Sequence, residues 1–348
     1  HLLARLPPPL PIIDGCLDHV LRQPRSRAVL ILARAQLADE HADWLLASLH
    51  KALAAAASVN LRDETRRTPL HHALRRRDDA FVESLLRAGP PLNARDAAGQ
   101  TPLHLLALRV GPESLRFTRA MIRAGADPAA SAADGSTPTG IARGRGADTL
   151  ADLLDWPTLA HPGRALKDAD LARAARAGDR ATLRRLLQLG LPVDGRDDRG
   201  ATALIHAAGA GQLELVTDLI GFGADTAAAT NSGATALSAA CVSGHKAVIT
   251  LLLDAGVPVD QPMRQGLTPL MVAASVLRAD VIELLLSRGA RIDALAGTGL
   301  NALEAAVLST LNQGSIDSAL ACVRLLLERR ARVETTGHGQ PGLLHRIL

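Results

Sequence analysis

"RTPLHHAL" at Arg67–Leu74 returns as "QTPLHLLA" at Gln100–Ala107 and as "LTPLMVAA" at Leu267–Ala274. The first two copies are 33 residues apart, and looser copies keep the same ruler: "ATALIHAA" from Ala201, "ATALSAAC" from Ala234 and "LNALEAAV" from Leu300. Downstream of the first five, an apolar run ends in a glycine turn: "FVESLLRAG", "FTRAMIRAG", "LVTDLIGFG", "AVITLLLDAG" and "VIELLLSRG". A fixed period of this length marks one supersecondary unit used many times.

The phrase has a physical reading. Thr68 and Thr101 stand where a hydroxyl can accept a hydrogen bond from the free amides of a first helical turn, and a proline is tolerated at the first helical position. Leu and the paired Ala then point inward, the alanines letting a first helix approach its neighbours while the "LL" of a second helix fills the layer behind. Gly89, Gly125, Gly190, Gly223, Gly256 and Gly289 close the second helix, where a left-handed backbone costs least without a Cβ. No unit of this kind buries its apolar face alone, so the units must stack.

Phrase, period, glycine turn and helix length together resemble the ankyrin repeat, a β-turn followed by two antiparallel helices. The resemblance implies an all-α solenoid of about nine or ten stacked helix-turn-helix units with short β-turn fingers. Residues 1–34 read as a partial or degenerate opening repeat, 35–155 as a first block, 156–168 as an irregular joint and 169–348 as a second block whose last repeat is cut short. The first block has degenerate first and last members. In its last, Thr139 replaces the inward leucine and four glycines fall between Gly135 and Gly146, so this unit is expected to be the least stable. Insertions lengthen two repeats, around "RVGPESLRF" and at Leu308–Leu320. Both chain ends fall inside repeats, "LLARLPPPLPIIDG" at Leu2–Gly15 and "LLHRIL" at Leu343–Leu348, which marks the chain as an excerpt of a longer, multi-domain protein.

Composition narrows the function classes. Of the 348 residues 47% are hydrophobic, enough for a packed interior, yet there are three Phe, two Trp and no Tyr, so Ala, Leu, Val and Ile must supply the core. The 39 basic residues against 35 acidic leave a net charge of +4, too little for phosphate binding by bulk charge. Cys16, Cys241 and Cys322 are far apart and odd in number, so neither a disulfide framework nor a zinc cluster is indicated, and a reducing compartment is the inference. No apolar run reaches the roughly 18 to 20 residues of a membrane span. Heavy Arg and Ala usage beside scarce Lys and Tyr points to a GC-rich, bacterial gene.

Catalytic and metal readings are weak. A helical zinc site wants histidines four residues apart, whereas Arg75 and Arg76 follow His71 and His72 at that spacing. His71 and His104 share one repeat position, whose role in the resembled family is to tie the turn and neighbouring units. "GRGADT" from Gly144 lacks the lysine of a phosphate loop. No catalytic residue, cofactor or metal ligand is expected.

Arginine carries more information. Arg76, Arg109 and Arg145 occupy one repeat position near the end of the first helix, on the face lining the concave groove of the resembled arrays. Arg75 and Arg176 lie one position earlier. The later units carry Ala210, Ser243 and Val276 at the Arg76 position, so the groove is expected to be basic first and small or apolar later. The planar fork of arginine suits carboxylates, and the chain has only three lysines. Turn-tip candidates are Arg67, Gln100, Arg199, Asn231, Arg264, Gln265 and Leu267. The resemblance thus implies a non-catalytic protein-binding scaffold, monomeric and cytoplasmic or in another reducing compartment, taking a partner protein with an acidic segment. Nucleic acid is disfavoured by the lack of stacking aromatics. The rival reading is a regulatory or targeting arm of a larger enzyme or secreted effector.

Overall fold

The computed structural model describes residues 28–34, 42–54, 58–109, 111–156, 164–313 and 316–331. They form eighteen α-helices in nine pairs and no strand. The chain divides into two compact units, His1–Leu166 and Lys167–Leu348.

In the first unit the pairs are α1 (Ala28–Arg34) with α2 (Ala42–Ala54), α3 (Pro69–Arg76) with α4 (Asp79–Arg87), α5 (Pro102–Ala107) with α6 (Pro112–Arg123), and α7 (Pro138–Gly144) with α8 (Asp148–Leu154). In the second they are α9 (Asp168–Ala177) with α10 (Arg180–Gln188), α11 (Ala203–Gly209) with α12 (Leu213–Gly221), α13 (Ala236–Ser243) with α14 (Lys246–Asp254), α15 (Pro269–Ser275) with α16 (Ala279–Ser287), and α17 (Ala302–Gln313) with α18 (Ile316–Glu328). Within each unit first helices pack on first helices and second on second. The two sequence insertions are absorbed largely as helix: α6 and α17 run to 12 residues and α18 to 13, against nine for α4 or α16.

The core follows the division of labour in the phrase. Ala73, Ala107, Ala142, Ala207, Ala240 and Ala273 are buried on first helices, so those helices approach closely. Behind them Val82 and Leu85, Met121 and Ile122, Val216 and Leu219, and Ile249 and Leu252 are buried on second helices. Each such aliphatic side chain contributes about 1.5–3 kcal/mol by leaving water. In α7 only Pro138 and Ala142 are buried, while Thr139 at the inward leucine position is half-exposed. One second-helix position breaks the pattern. Thr118 is 1% exposed and its hydroxyl has no hydrogen-bond partner among the described residues, where the register places Val82, Leu183, Val216, Ile249 and Ile282 elsewhere. A buried hydroxyl without a partner costs about 1–3 kcal/mol, so Thr118→Val is expected to raise stability by about 1 kcal/mol in urea unfolding. A loss of stability would show that the hydroxyl is satisfied.

Helix starts differ from the sequence expectation in an informative way. At Thr137, Thr202, Thr235 and Thr268 the hydroxyl accepts from the amide three residues on, at 3.1 to 3.4 Å. At Thr68 and Thr101 the partner is instead a ring nitrogen. His71 Nδ1 lies 2.8 Å from the Thr68 hydroxyl and accepts from the Thr68 amide at 3.2 Å. His104 repeats this on Thr101 at 2.9 and 3.1 Å. An Nδ1 that accepts from an amide carries no proton, so Nε2 carries it and donates to the next finger: to the Gln100 carbonyl from His71 and to the Ser136 carbonyl from His104, both at 3.2 Å. Burial pushes both imidazole pKa values below the usual histidine range.

Three of the fingers between pairs are turns closed by an aspartate, Asp63, Asp96 or Asp197, and in another the Thr230 hydroxyl takes that place, accepting from the Ala234 amide at 3.0 Å. Asp63 accepts from the Thr65 and Arg67 amides, both at 2.9 Å, and from His72 Nε2 at 2.8 Å. Asp197 does the same with Arg199, Ala201 and His206. Burial would raise the Asp63 carboxyl pKa, but the hydrogen bonds from Thr65, Arg67 and His72 outweigh it and hold it near about 2. Successive fingers are stitched by backbone bonds, Ala97 amide to Thr65 carbonyl at 2.9 Å and Asn231 amide to Arg199 carbonyl at 3.0 Å. Gly99 shows how close they come: at φ +75° an added Cβ would lie 2.7 Å from the Ala133 amide nitrogen.

Candidate functional site

The arginine column lies at the C-terminal ends of first helices, counted two residues before the cap of each second helix. Asp78, Gly111 and Ala147 are those caps in the first unit, placing Arg76, Arg109 and Arg145 in register. Two of the three rungs are turned to structural use. Arg76 donates to the Leu32 carbonyl at 3.4 Å and lies 3.7 Å from the Asp78 carboxylate. Arg109 is only 13% exposed and donates to Asp79 at 2.7 Å. Arg145 is exposed, as is Arg75 one position earlier, and neither side chain makes an ion pair among the described residues. In the second unit Arg176 is exposed in the same way. There the later register holds Ala210, Ser243 and Val276, with Val276 half-buried and Val242 beside Ser243 45% exposed.

The turn-tip residues also divide. Arg67 is half-buried, 3.5 Å from the Asp96 carboxylate, and the Gln100 carbonyl receives the His71 proton. Arg264 is exposed but donates to the Asn231 carbonyl at 3.0 Å, and the Asn231 side chain reaches the Asp198 carbonyl at 3.5 Å. The Gln265 carbonyl accepts from Gly297 at 2.6 Å while its side chain stays exposed. Arg199 is exposed, and Leu267 is 37% exposed at the base of its finger.

A third set of arginines was missed in the sequence. Arg62, Arg95 and Arg196 each stand six residues before a helix-capping threonine, and each donates to a carbonyl of the following finger: Arg62 to Arg95 at 3.4 Å, Arg95 to Ser131, and Arg196 to Ala229 at 2.6 Å. Their common offset from Thr68, Thr101 and Thr202 was the available signal.

His71 and His104 have both ring nitrogens engaged and no lone pair left for a metal. Among the described residues no group of three His, Cys, Asp or Glu side chains is placed to hold a metal ion. Burial pushes the Cys241 thiol up to about 12, and burial with the Asp280 charge pushes Cys322 up to about 11, so neither is a nucleophile at neutral pH. Cys16 lies outside the described residues. No helix among the described residues is long and apolar enough to cross a membrane.

The family comparison agrees with the repeated helix pairs. Models of ankyrin repeats match residues 53–106, 171–263 and 265–296. The chain belongs to the ankyrin-repeat family. No curated protein matches it. Ankyrin repeats are interaction modules that bind other proteins and are typically non-catalytic.

Proposed function

We propose that the first-helix faces and fingers of this ankyrin-repeat chain bind a partner protein: in the first unit Arg75 and Arg145 are the contacts for an acidic segment, and within the second unit Arg176 is the corresponding exposed arginine. The observation that supports this reading is the contrast within one column. Arg76 and Arg109 are neutralised inside the stack, whereas Arg75, Arg145 and Arg176 are exposed with no carboxylate partner among the described residues. Exposed guanidinium groups give a partner carboxylate a bidentate target. In the second unit the partner would instead meet Val242, Val276 and, from the finger side, Leu267, a surface suited to an apolar residue. The fingertips Arg199, Asn231, Arg264 and Gln265 would contribute a polar rim. The chain acts in this reading as a monomeric scaffold in a reducing compartment.

The test uses the two exposed arginines of the first unit. Arg75→Glu with Arg145→Glu is expected to reduce recovery of acidic partners in a quantitative pull-down by about tenfold, as befits loss of two charge-assisted contacts, with helicity unchanged. Equal recovery would remove these arginines from the binding surface. Arg109 is left intact because Arg109→Glu would face Asp79 and destabilise the stack.

A further inference from the structure

A groove of about 550 Å³ opens between α4 and α6, on the second-helix side of the first unit. Its size lies within the roughly 300–1,000 Å³ of ligand pockets. The floor is apolar: Leu86, Pro90, Leu92, Phe117, Ala120 and Ala124. The rim is charged, with Glu83, Arg87 and Arg116, and the Arg116 guanidinium lies 4.6 Å from the Phe117 ring centre.

The groove exists because one position is small. Ala120 stands five residues before the glycine that closes its second helix, Gly125. At the same offset the second unit carries Arg185, Asp218, Leu251 and Leu284, and α4 carries Ser84, whose hydroxyl is met by His50 Nε2 at 2.9 Å. Asp218 fills the seam between α10 and α12 by taking forks from both Arg180 and Arg184, at 2.6 to 3.0 Å. Leu251 and Leu284 are half-buried aliphatics on α14 and α16. Ala120 reaches nothing comparable, and Ala124 one turn later leaves the seam open.

Charge selects the occupant. Arg116 pairs with Glu113 at 2.8 Å and with Glu83 at 3.6 Å, and Arg87 with Glu83 at 2.6 Å, so the rim's own carboxylates are used up. Two further arginines of α6, Arg119 and Arg123, are exposed beside Ala120 and Ala124 and make no ion pair among the described residues. An apolar trough whose own rim charges are paired, with two exposed guanidinium groups next to its lining residues Ala120 and Ala124 on α6, matches an amphipathic segment with large apolar residues on one face and carboxylates beside them. We infer that the α4/α6 groove is a second docking site, separate from the first-helix face, which takes the apolar anchors of an acidic amphipathic helix from a partner protein.

The probe is a fluorescein-labelled helical peptide of about 14 residues with leucines at i, i+4 and i+7 and glutamates elsewhere. Fluorescence anisotropy with the full chain is expected to show binding that Ala120→Leu weakens by about tenfold or more. That substitution installs the residue used at this register in α14 and α16, so thermal stability should hold or rise. Arg119→Glu with Arg123→Glu should weaken binding several-fold and flatten its salt dependence, while Arg75→Glu with Arg145→Glu should leave it unchanged. No binding to the wild-type chain, equal binding to Ala120→Leu, or equal binding of a lysine-for-glutamate peptide would overturn the inference. So would self-association of the wild-type chain in sedimentation that Ala120→Leu abolishes, because the occupant would then be a second copy.

Discussion

His104→Ala is expected to destabilise the first unit by about 2–4 kcal/mol, one of the two largest effects in this chain. The ring is fully buried and holds three groups at once: the Thr101 amide, the Thr101 hydroxyl and the Ser136 carbonyl of the next finger. Alanine would leave the Thr101 amide buried without a partner, at about 1–3 kcal/mol before local relaxation, would remove one of two hydrogen bonds to the Ser136 carbonyl, which keeps the Ala132 amide at 2.8 Å, and would leave a void where the imidazole sat. Urea unfolding followed by circular dichroism measures this directly. Arg123→Ala, on the exposed face of α6, should stay within about 0.5 kcal/mol. A cost below about 1 kcal/mol for His104→Ala would mean that the fingers are held by backbone stitching alone.

The fold was legible because the repeat unit states the same rule many times. Period, capping threonine, inward leucine and closing glycine all agree, and the helix pairs form where those signals recur. Even the insertions behave simply, since an apolar-periodic stretch such as "SLRFTRAMIR" can lengthen a helix without disturbing its neighbours. What the phrase could not reveal was the competition at its own first turn. The hydroxyl of a threonine followed three residues later by histidine bonds the ring nitrogen, whereas that of one followed by Gly140, Ile205, Ser238 or Met271 accepts from the amide of that residue.

The surface was legible in position but not in availability. Register alone places Arg76, Arg109 and Arg145 in one column, yet which of them is free depends on carboxylates from other helices and caps. Asp79 reaches Arg109 from the neighbouring repeat, 30 residues earlier in sequence. No local pattern announces that pairing. The α4/α6 groove is a still harder case, because it is produced by a residue that is merely small: Ala120 is unremarkable until Asp218, Leu251 and Leu284 are set beside it at the same offset.

Acidification is expected to loosen the first unit before the second, and the sign follows from the buried histidines. Burial, the largest influence on each, lowers the folded-state pKa of His71 and His104 below 6.5, against the hydrogen bonds to the Gln100 and Ser136 carbonyls that raise it. Nearby charges act in both directions, Asp96 with Arg67 and His72 around His71, and Asp134 and Asp96 with Arg95 around His104. Between its folded pKa and about 6.5 each histidine binds a proton more readily in the unfolded chain, so stability rises with pH there. It is therefore fully present above about pH 6.5 and falls as the pH drops below it, by at most about 1.4 kcal/mol per pH unit for each histidine. The second unit carries Asp170, Ile205, Ser238, Met271 and Glu304 at the third helical position and, among the described residues, has no such histidine to charge. Its finger carboxylate Asp197 has a depressed folded pKa, as does Asp63, so their contribution is present above about pH 3.8 and lost only as the pH falls further, toward about 2 for Asp63. Hydrogen exchange read by mass spectrometry and corrected for intrinsic rates should show residues 68–107 losing protection between pH 7 and pH 5.5 while residues 202–289 keep theirs. His71→Ser with His104→Ser, which installs the residue found at position 238, should flatten that pH dependence. Equal loosening of both units, or earlier loosening of the second, would place the acid-sensitive groups elsewhere.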